Sequence, residues 1–447
     1  MDVCFYFQLH QPRRVRRYQV FDIGSGSSYF DDVRNADTLR RVATRCYLPA
    51  TRMLTELARN EGARVAMSVS GVLLEQLAST SPETIESLQV LVASGGAELL
   101  SETSHHSLAS RQNMDEFAVQ VTLHRAMMRR TFGVTPRVFR NTELIVSDAL
   151  TPLVASLGFD AMLVEGADAV LGWQSPNYVY ASTTAPLMRL LPRNYRLSDD
   201  VAFRFGARDW SEWPLTADKY AAWIAANNGD VVNVFMDFET FGEHQDAGSG
   251  ILDFLRALPG ALRKNGVTMV TPSELAKRKP AGLLSFPNAT SWADTERDVS
   301  AWLGNGLQYA AHARLYGLRD AVLASGNSEL VSTWRQLSTS DHFYYMSTKW
   351  HADGDVHTYF SPYANPYDAY ISFMNVLRDV EQRLGTAPRQ LKTADRRPQT
   401  ADRSRAATAK PKTADRRPQT APRANGKRGN REAKTAGRSK KAKVRKK

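Results

Sequence analysis

Seven short runs rich in β-branched and aromatic residues recur through the first 275 residues, each separated from the next by a longer stretch. They are VCFYFQL at 3–9, RVAMSVS at 64–70, AELLS at 97–101, RVFRN at 137–141, DAMLV at 160–164, VVNVFMD at 231–237 and VTMV at 267–270. Several are apolar throughout, as a strand must be when both faces of its sheet are covered. Parallel neighbours need a crossover of a dozen or more residues, usually a helix, so this alternation implies repeated strand-helix units around a parallel sheet. Helices are expected over 38–60, 113–131 and 147–157, the last opening with Ser147 and Asp148 as cap candidates. Seven or eight such units predict an α/β fold closed, or nearly closed, into a (β/α) barrel, with a doubly wound open sheet as the alternative.

Past this region the texture changes. From Asp294 helical patterns run over 294–325 and 327–348, and a third opens at Asn365-Pro366, a cap followed by proline in the first turn, and reaches about Leu384. The chain therefore divides into a barrel at 1–275, a helical C-terminal domain at 276–385 and a tail at 386–447. The connector between the last two helices, KWHADGDVHTYFSPYANPY, is richer in aromatic, His and Asp residues than a plain loop.

The charge is unevenly spread. Of 58 Lys and Arg against 46 Asp and Glu, 22 and 4 fall in residues 386–447, which leaves a net of +18 on the tail and −6 on the rest. The tail has no Phe, Tyr or Trp, and only Leu391 and Val444 as large aliphatics, so it is expected to stay disordered. It repeats KTADRRPQTA at 392–401 and 412–421, which is low complexity and not a solenoid. Contact with acidic surfaces or nonspecifically with nucleic acid is the role such a tail could take. Two cysteines, Cys4 and Cys46, cannot make a disulfide framework or a CxxC metal site. The N-terminus has no basic stretch ahead of an apolar core, and no apolar run reaches the roughly 18 residues that cross a bilayer. A cytoplasmic protein with no membrane partner is expected.

In a parallel barrel the functional rim lies at the carboxyl ends of the strands. His10 and Gln11 follow the first run, Glu102, His105 and His106 the third, Asn141 and Glu143 the fourth and Glu165 the fifth, while Asp237 and Glu239 close the sixth. Any one of these could be a helix cap or a solvated loop residue. Asp237 is harder to dismiss, because it closes an apolar run where an acid is expensive unless it is paired or its shifted pKa is useful. Adjacent side chains on extended backbone point apart, so only one of His105 and His106 is expected to face the rim.

HQP at 10–12, HSL at 106–108, FRNTEL at 139–144 and MDFETFGEH at 236–244 resemble successive regions of glycoside hydrolase family 57, the α-amylase and 4-α-glucanotransferase family. SWADTERDVSAWLGNGLQ at 291–308 and SDHFYYMSTKW at 340–350 resemble its C-terminal region. The likeness covers about residues 1–384. It implies a (β/α)7-type barrel followed by a helical domain, acting on α-1,4-glucans or maltooligosaccharides with retention of configuration. It also implies Glu143 as nucleophile and Asp237 as general acid/base, with His10 and His106 beside the sugar at the cleaved bond and Trp292 and Asp341 completing the cleft. Gln11 and Glu165, on the same rim, join this substrate-binding set. One departure is His105, which stands where an aromatic residue is expected. Trp173, Tyr178, Tyr180, Trp210, Trp213, Trp350 and Tyr359 are further candidates for stacking on sugar faces, or equally for the core.

Retaining cleavage needs two carboxyl groups about 5–5.5 Å apart, one ionised and one protonated, a demand that two acids on separate strands of one rim can meet. Hydrolysis and transfer are not separated by residue type. A metal-dependent polysaccharide deacetylase on a similar barrel is the alternative enzyme. It would want an Asp with two His at i, i+4 spacing, and the chain contains no HxxxH. A glycan-binding protein without turnover is the non-catalytic alternative. Neither a metal nor another cofactor is expected.

Overall fold

In the computed structural model, which describes residues 1–349 and 361–385, strand β1 (Asp2–Leu9) is buried from Val3 to Leu9. It pairs in parallel with β2 (Val65–Val69) on one side and with β8 (Val231–Asp237) on the other. β2 continues to β3 (Ala97–Leu99), and a second sheet places β4 (Val138–Arg140), β5 (Ala161–Glu165) and β7 (Arg189–Arg193) side by side in parallel.

Two joints close the ring. A parallel bridge links Ser101 to Phe139, and beyond β7 the Asn194 amide donates to the Asn233 carbonyl at 2.8 Å, while Asn233 Nδ2 donates back to Pro192 at 2.9 Å. The result is a seven-stranded (β/α) barrel in the order β1-β2-β3-β4-β5-β7-β8. β6 (Tyr180–Ser182), antiparallel to the start of β7, carries β10 (Leu283–Leu284) beside it, and β9 (Thr268–Met269) adds to the start of β1.

Period-2 alternation divides the core. Val3, Phe5, Phe7 and Leu9 point out beneath the helices, whereas Cys4 and Tyr6 join Ala66, Leu100, Val138, Leu163, Leu191 and Phe235 in the lumen. Towards the carboxyl ends the lumen turns polar: the Tyr6 hydroxyl donates to Gln8 Oε1 at 2.6 Å, Ser68 donates to the same oxygen at 2.8 Å, and Gln8 Nε2 donates to Glu102 at 3.2 Å. Tyr6, Ser68, Gln8 and Glu102 are thereby paired, which offsets the cost of burying them.

The helix expected over 38–60 begins earlier, at Asp32, and continues to Glu61 through a π-helical turn, Ala43–Tyr47. That expected over 113–131 spans Met114–Phe132, with Asn113 capping Glu116 N and Gly133 closing it at φ 73°. The expected helix at 294–325 is broken into Ser300–Leu303, Gly306–Gly317 and Arg319–Ala324. The break at Gly304-Asn305 has a local cause, since Asn305 and Gln308 form a reciprocal capping box that starts a new helix. Ser328–Leu337, Ser340–Tyr344 and Pro366–Arg383 complete the helical layer.

The described residues all fall within one compact unit. Trp302, Leu315, Trp334, Phe343 and Phe373 of the helical layer share one apolar cluster with Phe117, Phe139 and Val164 of the barrel. Among the described residues no helix is long and apolar enough to cross a membrane. The basic tail, Trp350 and Tyr359 lie outside the described residues.

Candidate active site

Beyond β4 the chain buckles at once. Asn141 Nδ2 donates to the Ile145 carbonyl at 2.8 Å and to Ser110 at 3.1 Å, closing the tight turn Thr142–Leu144. Within it Glu143 and Leu144 take left-handed backbone, φ 56° and 51°. For residues with a side chain this costs on the order of 1–3 kcal/mol each, and such strain clusters at functional sites. Its effect is to aim the Glu143 carboxyl at three donors. His106 Nε2 lies 3.1 Å from Oε1, Ser340 Oγ donates to the same oxygen at 3.3 Å, and the Trp292 indole donates to Oε2 at 2.8 Å.

His106 is itself in left-handed backbone, φ 49°, and its Nδ1 lies 2.8 Å from Glu102 Oε2. Burial pulls its pKa down, but the bonds to Glu102 and Glu143 outweigh it and push it up to about 9. An imidazolium donates from both nitrogens, which matches two carboxylate partners. Burial raises Glu102, yet His106 overcomes this and brings it to about 2. Burial likewise opposes ionisation of Glu143, and the His106 bond and charge together with Arg140 hold it below its ordinary value.

The second carboxyl has the opposite environment. Asp237 ends β8, and burial followed by the charge of Glu143 pushes its pKa up to about 6, against the pull of Arg140, His106 and His10. Two residues on, in the turn Phe238–Thr240, Glu239 is raised to about 8 by burial and by Asp237. Its Oε1 accepts from the Tyr47 hydroxyl, from the His10 amide at 3.3 Å and from Gln11 Nε2 at 3.5 Å. Tyr47 arrives from the π-helical turn, where Cys46 Sγ also donates to the Phe238 carbonyl at 3.1 Å. Contact this close requires Gly242, at φ 128°, where an added Cβ would lie 2.1 Å from the Arg45 carbonyl.

The helical layer supplies the roof. The Ser340 amide donates to the His106 carbonyl at 2.9 Å, and the next residue, Asp341, lies 3.0 Å from His10 Nε2, while His10 Nδ1 lies 2.7 Å from Ser70 Oγ. Burial lowers the His10 pKa and the charge of His106 lowers it further. Asp341, despite burial, is held well below the usual carboxylate range by His10.

The fold thus brings His10, Gln11, His106, Glu143, Asp237, Trp292 and Asp341 to one rim. Glu165 ends β5 and pairs with Arg193 at 3.4 Å, and burial raises its pKa to about 7. His105 turns away to Ser104 Oγ at 2.8 Å, and its buried ring is lowered to about 3. Sequence reasoning passed over Arg140, Tyr47, Arg193 and Ser340. Arg140 was open to detection, because an arginine inside the apolar run RVFRN must bury its charge; it lies 4.8 Å over the Trp292 ring and 4.0 Å from Glu102. Tyr47 left no comparable signal.

A model of "Glycosyl hydrolase family 57" matches residues 4–287. A Methanocaldococcus jannaschii protein named "Putative alpha-amylase" is 41% identical over 396 residues, covering 85% of this chain and 84% of that one. Among solved structures, the 4-alpha-glucanotransferase of Thermococcus litoralis superposes with a TM-score of 0.64 at 16% identity, over 86% of this chain and 60% of the other. A branching enzyme of Thermococcus kodakaraensis does so with 0.63 at 13% identity, over 86% and 90%. Identities this low speak for the fold alone, and the chain spans only 60% of that glucanotransferase's length. The family match over more than half of the chain, with the close relative spanning most of it, settles membership: this chain belongs to glycosyl hydrolase family 57.

Proposed function

We propose that this protein acts on α-1,4-linked glucans with retention of configuration, using Glu143 as nucleophile and Asp237 as general acid/base, and passes the glycosyl group to water or to a second sugar. One arrangement carries this reading: two half-buried carboxyls at the ends of separate strands have opposite surroundings. His106 and Trp292 bond to Glu143 and, with Arg140, favour its ionised form, while burial and the Glu143 charge favour the protonated form of Asp237. Retaining cleavage needs that division of labour.

In the first step Glu143 attacks the anomeric carbon as the glycosidic C–O bond breaks, and Asp237 passes its proton to the departing oxygen. A covalent ester between the sugar and Glu143 results. In the second step Asp237, now a carboxylate, takes a proton from water or from a sugar hydroxyl, whose oxygen displaces Glu143. His106 remains cationic and steadies Glu143 when it leaves as a carboxylate. His10 and Asp341 form the adjoining wall for sugar hydroxyls.

The test is stereochemical. Glu143→Ala should lose at least roughly a thousandfold in turnover, and azide should restore cleavage of an activated α-glucoside to give the β-azide. Asp237→Ala should accumulate a covalent intermediate and give the α-azide. Wild-type rates in both variants, or an inverted product from the native enzyme, would overturn the assignment. Products from maltoheptaose then separate the two outcomes: longer chains mean transfer, and shorter ones alone mean hydrolysis.

A further inference from the structure

Trp292 is fastened to Glu143 twice. Besides the indole bond to Oε2, the Trp292 amide donates to the Glu143 carbonyl at 3.3 Å. The tryptophan is in turn held from behind. Arg297 donates through Nη1 to the Trp292 carbonyl at 2.6 Å, and the Arg297 carbonyl accepts from the Ser291 amide at 3.0 Å, so that 291–297 closes as a small loop. Asp294 and Arg297 both adopt left-handed backbone there, φ 55° and 52°. The other guanidinium nitrogen of Arg297 lies 3.3 Å from Asp199 Oδ2, while Asp199 Oδ1 receives Arg193 Nη2 at 2.5 Å. Arg193 and Arg140 both approach the indole, at 5.7 and 4.8 Å from its centroid. A line of contacts therefore runs from β7, through Asp199 and Arg297, to the carboxyl of Glu143.

We propose that Arg297 is a positioning residue for the nucleophile: by fixing the loop that carries Trp292, it holds the indole N–H on Glu143 Oε2 and keeps that carboxylate aimed into the cleft. This rests on the reading of Glu143 as the nucleophile. Arg297 itself makes no bond to any carboxyl of the catalytic pair, so its action passes through Trp292. A hydrogen bond to the charged form of a carboxylate favours that form, and its loss must raise the Glu143 pKa. The other groups that act on Glu143 are His106 from the loop after β3, Arg140 on β4, Asp237 on β8, and Ser340, Asp341 and Tyr344 on the roof helix. None of these is bonded to Arg297.

The test is the pH profile of kcat/KM on 4-nitrophenyl α-maltoside, whose acidic limb reports protonation of the nucleophile. Arg297→Ala should move that limb to higher pH by about one unit. Trp292→Phe should do the same, and combining the two should move it no further, because both remove one donor. Arg297→Lys, which keeps one donor and the charge, should bring the limb back towards the native position. Asp199→Asn, which loosens Arg297 without deleting it, should give a smaller shift in the same direction and stands in if Arg297→Ala does not fold. A rate lowered evenly at every pH with an unmoved limb would overturn the proposal, as would a full second shift in the double variant. If Glu143→Ala measured alongside keeps the native rate, the nucleophile assignment falls and this inference with it. An inactive Glu143→Ala with an unmoved limb in Arg297→Ala removes the inference alone.

Discussion

The imidazole of His10 stacks on that of His106, ring centroids 4.0 Å apart and planes inclined by 20°. Two cations in that arrangement would repel, and the surroundings divide the charge between them. His106 has a carboxylate at each nitrogen, whereas His10 has a hydroxyl at Nδ1 and a carboxylate only at Nε2. The pKa of His106 accordingly rises and that of His10 falls.

This division makes stability depend on pH. A folded-state pKa of about 9 for His106, above its ordinary 6.5, means that the stabilisation is fully present below pH 6.5 and is lost as pH rises through 9. The amount is on the order of 3 kcal/mol, and the depressed Glu102 describes largely the same hydrogen bond, so it is not added again. Melting temperature should fall between pH 7 and 10 more steeply in the native protein than in His106→Gln, which lacks the titrating group. Parallel melting curves of the two proteins would refute this.

Activity should follow a bell. The acid must keep its proton, so the alkaline limb of kcat/KM is expected near pH 6, the lower step of the interacting Asp237 and Glu239 pair. The nucleophile must be ionised, so the acidic limb should fall below the ordinary carboxylate value of 4.5. Because the Glu143 charge helps to raise Asp237, Glu143→Gln should lower the Asp237 pKa, a shift that carbon NMR of the labelled carboxyl can read.

Chelation should leave activity intact. Both nitrogens of His10 and both of His106 already have partners, and the carboxyls of Glu102, Glu143, Asp341 and Glu239 are engaged with imidazoles or a hydroxyl. A divalent ion would have to break these bonds before it could bind. Activity lost in EDTA and restored by a divalent metal would instead favour deacetylase chemistry.

The rim was legible in the sequence because an acid or imidazole at the end of an apolar strand is costly without a use, and VVNVFMD ends in Asp237 while VCFYFQL is followed at once by His10. β7 was not legible. RLLPR has arginines at both ends and a proline inside, so it reads as a charged connector, yet Arg193 is buried because Glu165, Asp199 and the Phe235 carbonyl receive its guanidinium. The Trp292–Glu143 bond spans 149 positions, and no local pattern encodes a contact at that range. The π-helical turn is hidden for a related reason: what calls for it is the opposing 238–242 turn, far along the chain.

Gly242→Ala should be severe. The added methyl meets a backbone carbonyl at 2.1 Å and the φ of 128° disfavours any side chain. A loss of more than about 2 kcal/mol is expected. Since the same contact seats Tyr47 on Glu239, the variant should lose activity below its melting point as well. An unchanged melting temperature would show that the π-helical turn can move freely.

Two truncations should behave in opposite ways. A chain ending at residue 385 loses only a segment with two large aliphatic side chains, Leu391 and Val444, and should keep its melting temperature and its glucan activity. It should lose salt-sensitive binding to polyanions, because the +18 of the tail goes with it. A chain ending at residue 299 removes Trp302, Leu315, Trp334, Phe343 and Phe373, which share an apolar cluster with Phe117, Phe139 and Val164. The barrel would then expose a large apolar face, and it should aggregate or fail to fold. The milder form of this test is Trp334→Ala. The indole is fully buried and donates to the Leu315 carbonyl at 2.8 Å, so its loss should cost roughly 3–5 kcal/mol. If the shorter chain is soluble and active, or Trp334→Ala melts like the native protein, the helical layer does not support the barrel as this shared core requires.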